Sequence, residues 1–180
     1  MQIKLNLGSG RDWRKDCVNA DISSQVGADW IMDINDVKWG QHVDTRFGVM
    51  RVSMNMFDVI YCMDVLEHVP NLVQAMTNIK HLLKVNGELH ICVPYDLSYG
   101  AWQDPTHVRA FNERSWIYYD EWARYLGWVD SCFEMISLDY EISDYGKTLN
   151  VPTDQLTKMP RAIDSMQVKM RKIVVDSSGH

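Results

Sequence analysis

The chain has 180 residues, a formal net charge of −6 at neutral pH, 46% hydrophobic and 23% charged residues. That is ordinary globular composition with enough apolar content for one core, so the sequence predicts a single domain over 1–180 rather than a fibrous or disordered chain. The acidic balance, with no more than two basic residues in a row, argues against nonspecific nucleic-acid binding, and no signal-peptide pattern or membrane-length apolar run is present.

Cys17, Cys62, Cys92 and Cys132 are scattered without a C-x-x-C pair. They read as reduced core thiols of a cytoplasmic protein, not as a disulfide or zinc framework.

In chain order, Lys4–Leu7 is predicted to be a short buried strand, with no N-terminal helix expected above it. A shortened helix is expected over Asp12–Cys17. Strands follow over Val18–Ile22 and Asp29–Ile34, each holding or ending near an aspartate. Residues 35–56 show no clear period and receive no element. Phe57–Met63, apolar on both faces, reads as a central parallel strand. Pro70-Asn71 opens a helix whose Leu72, Met76, Ile79 and Leu83 form one stripe, and Asn86-Gly87 is expected to end it with a left-handed glycine. Glu88–Val93 is the next strand, stopped by Pro94. A second helix is predicted over Glu113–Leu126, capped by Asn112, closed by Gly127, with Trp116, Tyr119, Trp122, Ala123 and Leu126 inward. The chain ends in two expected strands, Phe133–Ile142 and Gln167–Val175, around a long loop at 143–165. Alternating strands and helices followed by two strands give an α/β layered fold with a mostly parallel sheet.

The stretch from Leu5 to Asp21, LNLGSGRDWRKDCVNAD, carries the strongest functional signal. Gly8 and Gly10 let the backbone turn tightly and approach a ligand without a Cβ in the way. Ligands of open α/β sheets sit beyond the carboxyl ends of the strands, where Asp21 would meet ribose hydroxyls. A dinucleotide fingerprint needs a third glycine and an acid about 20 residues on. Here Trp13 replaces that glycine and the acid follows Gly10 by eleven residues. The short first helix leaves little room for a pyrophosphate, so an adenosine cofactor without phosphates, such as S-adenosylmethionine, fits better.

With LNLGSG, VNADI, DWIMDI, FDVIYCMDVLEHV and LLKVNGELHICVP in this order, the chain resembles a class I S-adenosylmethionine-dependent methyltransferase. The resemblance implies a Rossmann-like three-layer sandwich with a seven-stranded, mostly parallel sheet and an antiparallel last strand. It implies that Gly8, Ser9 and Gly10 hold the methionine part, Asp21 the ribose and Asp33 the adenine amino group. Leu7, Ile22 and Ile34, beside these positions, are expected to bind the cofactor with them, and Cys62 or Met63 lines the pocket or packs the core. The absent N-terminal extension leaves the acceptor side for another element to cover, a partner subunit of a homo-oligomer among them.

Two clusters suit the chemistry beyond the cofactor: Asp64-Val65-Leu66-Glu67-His68 after the fourth parallel strand, and Asp104-Pro105-Thr106-His107 in a substrate-side insertion at 95–111. His107, Asp104 and His68 are the expected catalytic groups, with Tyr95, Tyr99 and Trp102 available to stack on an acceptor. D-x-x-E-H with a distant histidine resembles the divalent-ion set of some ubiquinone-pathway and small-RNA O-methyltransferases, and would use Asp64, Glu67, His68 and His107. Aspartate in place of glutamate at 64 shortens that set by a methylene, so a metal-free site is the preferred expectation. The resulting function is methyl transfer to a small or polar acceptor, with oxygen preferred over nitrogen. The rival readings are a nicotinamide-dependent oxidoreductase and a non-catalytic S-adenosylmethionine-binding scaffold.

Overall fold

The computed structural model of the chain describes residues 2–175. Its strands are Lys4–Leu7 (β1), Val18–Asp21 (β2), Trp30–Ile31 (β3), His42–Thr45 (β4), Gly48–Arg51 (β5), Phe57–Met63 (β6), Leu83–Pro94 (β7), Ser131–Ile142 (β8) and Ile163–Val174 (β9). Seven of them form one sheet in the order β3-β2-β1-β6-β7-β9-β8. From β3 to β7 the neighbours are parallel, and β9 runs antiparallel to β7 and β8. This is the expected seven-stranded sheet with its last strand reversed. The chain winds outward from β1 through β2 and β3, then returns to place β6 on the other side of β1. The crevice beyond the carboxyl ends of β1 and β6 is therefore a topological switch point, where such sheets bind ligands.

The core follows the apolar runs. Leu5, Phe57, Ile60, Cys62, Leu89 and Val168 are buried in the sheet, and Met76, Ile79 and Leu82 from helix α1 (Leu72–Leu82) pack against it. Asn71 caps α1 by accepting from the Gln74 N–H. The helix ends at Leu82, and the chain becomes extended at once, Leu83 pairing with Phe57. The left-handed residue here is Asn86 (φ 63°), not Gly87. Gly87 is required for another reason: a Cβ would lie 2.9 Å from the Lys84 carbonyl oxygen and 3.1 Å from that of Asp58.

Other expectations need correction. Arg11–Cys17 is a chain of turns, without the predicted helix. The predicted strand over Asp29–Ile34 shrinks to Trp30–Ile31. Residues 42–51, left unassigned by the sequence, form the β4–β5 hairpin. The predicted helix over Glu113–Leu126 is two 3₁₀ helices, Glu113–Tyr119 and Ala123–Leu126. The break falls at Asp120, whose carboxylate accepts from the Met135 N–H of β8, and the phase change leaves Trp122 exposed while Trp116, Tyr119 and Ala123 stay buried. The segment 143–165 is not a bare loop: it carries two short helices, Asp144–Leu149 and Thr153–Leu156, and the start of β9. All four cysteines are unpaired.

The hairpin is fastened near the start of β2. Arg46 donates to the Asp29 carboxylate at 2.7 Å and to the Cys17 carbonyl at 2.9 Å, and its guanidinium lies 3.6 Å from the centroid of the Trp13 ring. Between the hairpin and the sheet runs an apolar groove of about 630 Å³ lined in part by Ile3, Val18, Phe47 and Val49. Its lining residues begin β1 and β2, so it opens at the end of the sheet opposite the switch-point crevice.

At that same end, Asp58 accepts from the Ile3 N–H at 2.7 Å and from the Lys84 ammonium at 2.9 Å. The Ile3 N–H first, then Lys84, hold its carboxyl below the usual carboxylate range. A depressed folded-state pKa stabilises the fold above the unfolded value, near 4. Acidification from pH 4 through the lower folded value is therefore expected to remove this stabilisation. Chemical denaturation across that window should show a steeper acid loss for the wild type than for Asp58→Asn; equal slopes would contradict the assignment.

Candidate functional site

The glycine loop leaves β1 with Gly8 at φ 65° and Gly10 at φ 46°, in the left-handed region that glycine enters without strain. Gly8 also lacks room for a side chain, since a Cβ would lie 2.3 Å from Cγ2 of Val65. The loop therefore packs directly on the segment that follows β6, and the two sequence motifs meet. Ser9 donates its backbone N–H to the Ala20 carbonyl at 3.0 Å. Its hydroxyl is buried with no hydrogen-bond partner among the described residues.

Asp21 ends β2 inside the switch-point crevice. One carboxylate oxygen accepts from the Gly10 N–H and the other from the Ser23 N–H, each at 2.8 Å. Each oxygen keeps further lone-pair capacity for a ribose hydroxyl. Beside it Ile22 is 71% exposed, an apolar surface suited to a purine face. The cradle thus fits a nucleoside: a carboxylate fixed in place, an apolar neighbour, and a Cβ-free turn. Asp33 is exposed and its carboxylate caps its own turn, accepting from the Asn35 N–H at 2.8 Å. Leu7, Ile34 and Cys62 are buried in the core, and Met63 is partly exposed. Burial pushes the Cys62 thiol far above its usual range.

Sequence reasoning missed the support beneath this cradle. Asn6 and Asn19 are buried side by side, Asn6 Nδ2 donating to Asn19 Oδ1 at 2.9 Å and to the Asp12 carbonyl at 2.7 Å. Asn19 Oδ1 also accepts from the Arg14 N–H, and its Nδ2 donates to the carbonyls of Arg14 and Cys17. The two amides satisfy the backbone of turns that a helix would otherwise satisfy internally. Two asparagines inside otherwise apolar strands were the available signal.

The second half of the site is a corner where the two acid–histidine clusters come together. The 3₁₀ helix Leu66–His68 follows β6 through Asp64, itself at φ 53°. The 104–109 loop docks onto it: Val108 donates its N–H to the Glu67 carbonyl at 2.8 Å, and Arg109 Nη2 donates to the carbonyls of Val69 and Pro70. Arg109 is a positioning residue that the sequence did not single out. The rings of His68 and His107 meet edge to face with centroids 4.6 Å apart. Thr106 Oγ1 lies 2.9 Å from His68 Nδ1 and donates to Asp104 Oδ1 at 2.7 Å. The Thr106 hydroxyl, with its backbone N–H, holds the Asp104 carboxyl below its ordinary range.

Glu67 is 1% exposed, and neither carboxylate oxygen has a hydrogen-bond partner among the described residues. Burial pushes its carboxyl up to about 7. Burial likewise raises Asp64, opposed by the neighbouring His107 and His68. Of the expected stacking residues, Tyr99 and Trp102 are exposed, but Tyr95 is buried and spends its hydroxyl on Glu113 and the Thr157 carbonyl.

The family described as "Methyltransferase domain" matches residues 5–143. No curated protein matches the chain. Among solved structures, the [4+2]-cyclase SpnF superposes with a TM-score of 0.62 at 16% identity, over 97% of this chain and 76% of that one. An S-adenosylmethionine-dependent methyltransferase from Archaeoglobus fulgidus gives 0.61 at 14%, over 94% and 86% of the two chains. One from Mesorhizobium loti gives 0.59 at 11%, over 94% and 90%. These likenesses establish the shared fold; the sequence match, which spans both clusters and the glycine loop, establishes more. By that match the chain belongs to the methyltransferase domain family.

Proposed function

We propose that this chain acts as one domain that transfers the methyl group of S-adenosylmethionine to a hydroxyl of a small or polar acceptor. Asp21 holds the ribose, Ile22 the purine face, and the Gly8–Gly10 turn the amino-acid tail. Asp33, on the exposed side of its own turn, takes the adenine amino group. The cofactor supplies a methyl group on a positively charged sulfur, which departs without the C–S electron pair.

The observation that carries the acceptor side is the fixed tautomer of His107. Its Nδ1 lies 3.2 Å from the Ala101 carbonyl, which only accepts, so the proton sits on Nδ1 and the lone pair on Nε2. Nε2 takes the hydroxyl proton while the acceptor oxygen forms its bond to carbon, and the C–S pair stays on sulfur. Asp104, 3.9 Å from Nε2, favours the imidazolium so formed. His68 shares the corner and is held in place through Thr106. A cyclase with the same fold shows that the sheet alone does not choose a reaction; the basic corner next to the nucleoside cradle is what favours methyl transfer here. Exposed Trp102, next in the chain to Ala101, suits a planar or sugar-like acceptor, whereas Tyr99 carries the Arg161 guanidinium 4.2 Å from its ring centroid.

Methyl transfer to a panel of hydroxylated and amino metabolites, followed as S-adenosylhomocysteine released, tests the assignment. On the best acceptor His107→Ala is expected to lower kcat by about 100-fold or more, with cofactor affinity unchanged. Transfer only to amines would overturn the oxygen preference; an undiminished kcat would remove His107 from the mechanism.

A further inference from the structure

A second concavity lies beyond the carboxyl end of the sheet, away from the glycine turn. The chain leaves β7 at Pro94 and β8 at Ile142 and enters β9 at Ile163, all at that end. The glycine turn leaves β1, and β6 stands between it and these strands. A cleft of about 650 Å³ opens here, lined by Tyr99, Ser143, Tyr145, Pro160, Arg161 and Asp164. That is the size of a small-molecule site. Most of its wall comes from 143–165, a segment whose length already pointed to function. The wall is firm. Ser143 Oγ donates to the Arg161 carbonyl at 2.6 Å, and the Arg161 N–H donates to the Leu97 carbonyl at 2.8 Å. Gly146 packs so closely that a Cβ would lie 2.1 Å from the Ala162 carbonyl oxygen.

Arg161 is the odd residue of this wall. Its φ of 67° lies in the left-handed region, which glycine and asparagine enter more readily than arginine. An arginine at such a position is explained by its side chain rather than by its backbone. The guanidinium lies 4.2 Å from the centroid of the Tyr99 ring, a stack that fixes its plane and spends none of its N–H donors. Among the described residues it neither donates a side-chain hydrogen bond nor pairs with a carboxylate. Asp164 shares the cleft, fixed through its backbone carbonyl, which accepts from the Tyr95 N–H at 3.1 Å. Its carboxylate likewise has no partner among the described residues, and Lys147 pairs with Asp144 at 3.1 Å instead. Two opposite charges therefore face one concavity without neutralising each other.

We propose that this cleft seats the charged end of the methyl acceptor, and that the acceptor is a small zwitterion of the α-amino-acid class carrying a hydroxyl. The stacked guanidinium takes the carboxylate through paired N–H donors, and Asp164 takes the ammonium. An anion alone would leave Asp164 facing a like charge, and a cation alone would do the same to Arg161. Only a ligand bearing both signs satisfies the cleft. Cleft and acceptor corner share the helix Gly100–Gln103: Tyr99 caps it, and its Ala101 carbonyl orients His107. The inference rests on the acceptor-side reading above for the hydroxyl of the occupant; the charge pairing stands on the cleft alone.

The test titrates the full chain calorimetrically with L-serine, L-tyrosine and trans-4-hydroxy-L-proline. Each titration is run with and without saturating S-adenosylhomocysteine, which fills the cofactor's own amino-acid seat. At least one of these probes is expected to bind, equally well in both conditions. Arg161→Gln and Asp164→Asn should each weaken that probe about 10-fold or more, the loss of a charge-assisted hydrogen bond. For the probe's carboxamide, which lacks the anion, only Asp164→Asn should weaken binding. For its deaminated acid, which lacks the cation, only Arg161→Gln should. In turnover both variants should raise KM and leave kcat near the wild-type value. Thermal melting reports folding, and Arg161→Lys, which keeps the charge without the planar fork, serves with a smaller loss if Arg161→Gln does not fold. No binding of any probe, binding abolished by S-adenosylhomocysteine, or equal losses across zwitterion, carboxamide and acid overturns the inference. Probes failing while S-adenosylhomocysteine binds sinks this inference alone. Charge-matched probe binding without any S-adenosylhomocysteine binding sinks the methyltransferase reading and leaves the zwitterion seat standing.

Discussion

Asp21→Ala is expected to weaken S-adenosylmethionine binding by about 100-fold. Two ribose hydroxyls donated to a carboxylate contribute on the order of 1.5 kcal/mol each, and their joint loss of about 3 kcal/mol corresponds to that factor. The structure adds a second cost. The same carboxylate holds the Gly10 and Ser23 N–H groups, so alanine also frees the glycine turn on one side and the Ile22 segment on the other. Asp21→Asn is expected to fare little better, because its amide NH₂ must face one of those two N–H donors. Calorimetric titration with S-adenosylmethionine and with S-adenosylhomocysteine checks both variants. The two ligands share the nucleoside, so both should lose equally; a loss below threefold would place the ribose elsewhere.

Asn19→Ala is expected to lower folding stability by roughly 3 kcal/mol. Asn19 is fully buried and satisfies Asn6, the Arg14 N–H, and the carbonyls of Arg14 and Cys17. Each buried group left without a partner costs about 1–3 kcal/mol, partly relieved by water entering the gap. For a chain of this size the melting temperature should fall by about 6–12 °C. Its backbone N–H still reaches Asp29, so β2 itself should persist. A loss under about 1 kcal/mol would mean that the turns at 11–17 hold themselves. Cofactor affinity should fall as well, since those turns continue directly from Gly10.

The contrast between these two residues shows what the sequence makes legible. Asp21 stands out because chemistry requires an acid at the end of a strand beside a glycine turn, and that spacing is local. Asn19 stands two residues earlier and carries the turns, but its only local sign is an amide in an otherwise apolar strand; its partner Asn6 is brought to it by strand pairing. The predicted helix over Asp12–Cys17 failed for the same reason. Its residues tolerate a helix, but without an apolar stripe nothing drives one, and the buried amides offer the backbone better partners. At Asp120 a single long-range hydrogen bond to β8 breaks what helical spacing alone would join. The hairpin at 42–51 escaped notice because its strands are four residues each: Val43 and Met50 pack against the core while Phe47 and Val49 are exposed, and Arg46 fastens it to Trp13 and Asp29.

By itself the sequence determined the central apolar strands and helix α1, and it marked the glycine turn with Asp21 as a candidate cradle. Each of these rests on short-range periodicity or on residues a few positions apart, where chain geometry alone fixes which groups share a face. Only the tertiary structure decided that the clusters at 64–68 and 104–107 are one site. Nearly forty residues separate them, and they meet because parallel β6 and β7 end side by side and the loop after β7 folds back onto Leu66–His68. The Thr106 contact to His68 Nδ1 and the docking of Val108 on the Glu67 carbonyl exist only after that closure, because each depends on a neighbour that the chain brings from far away.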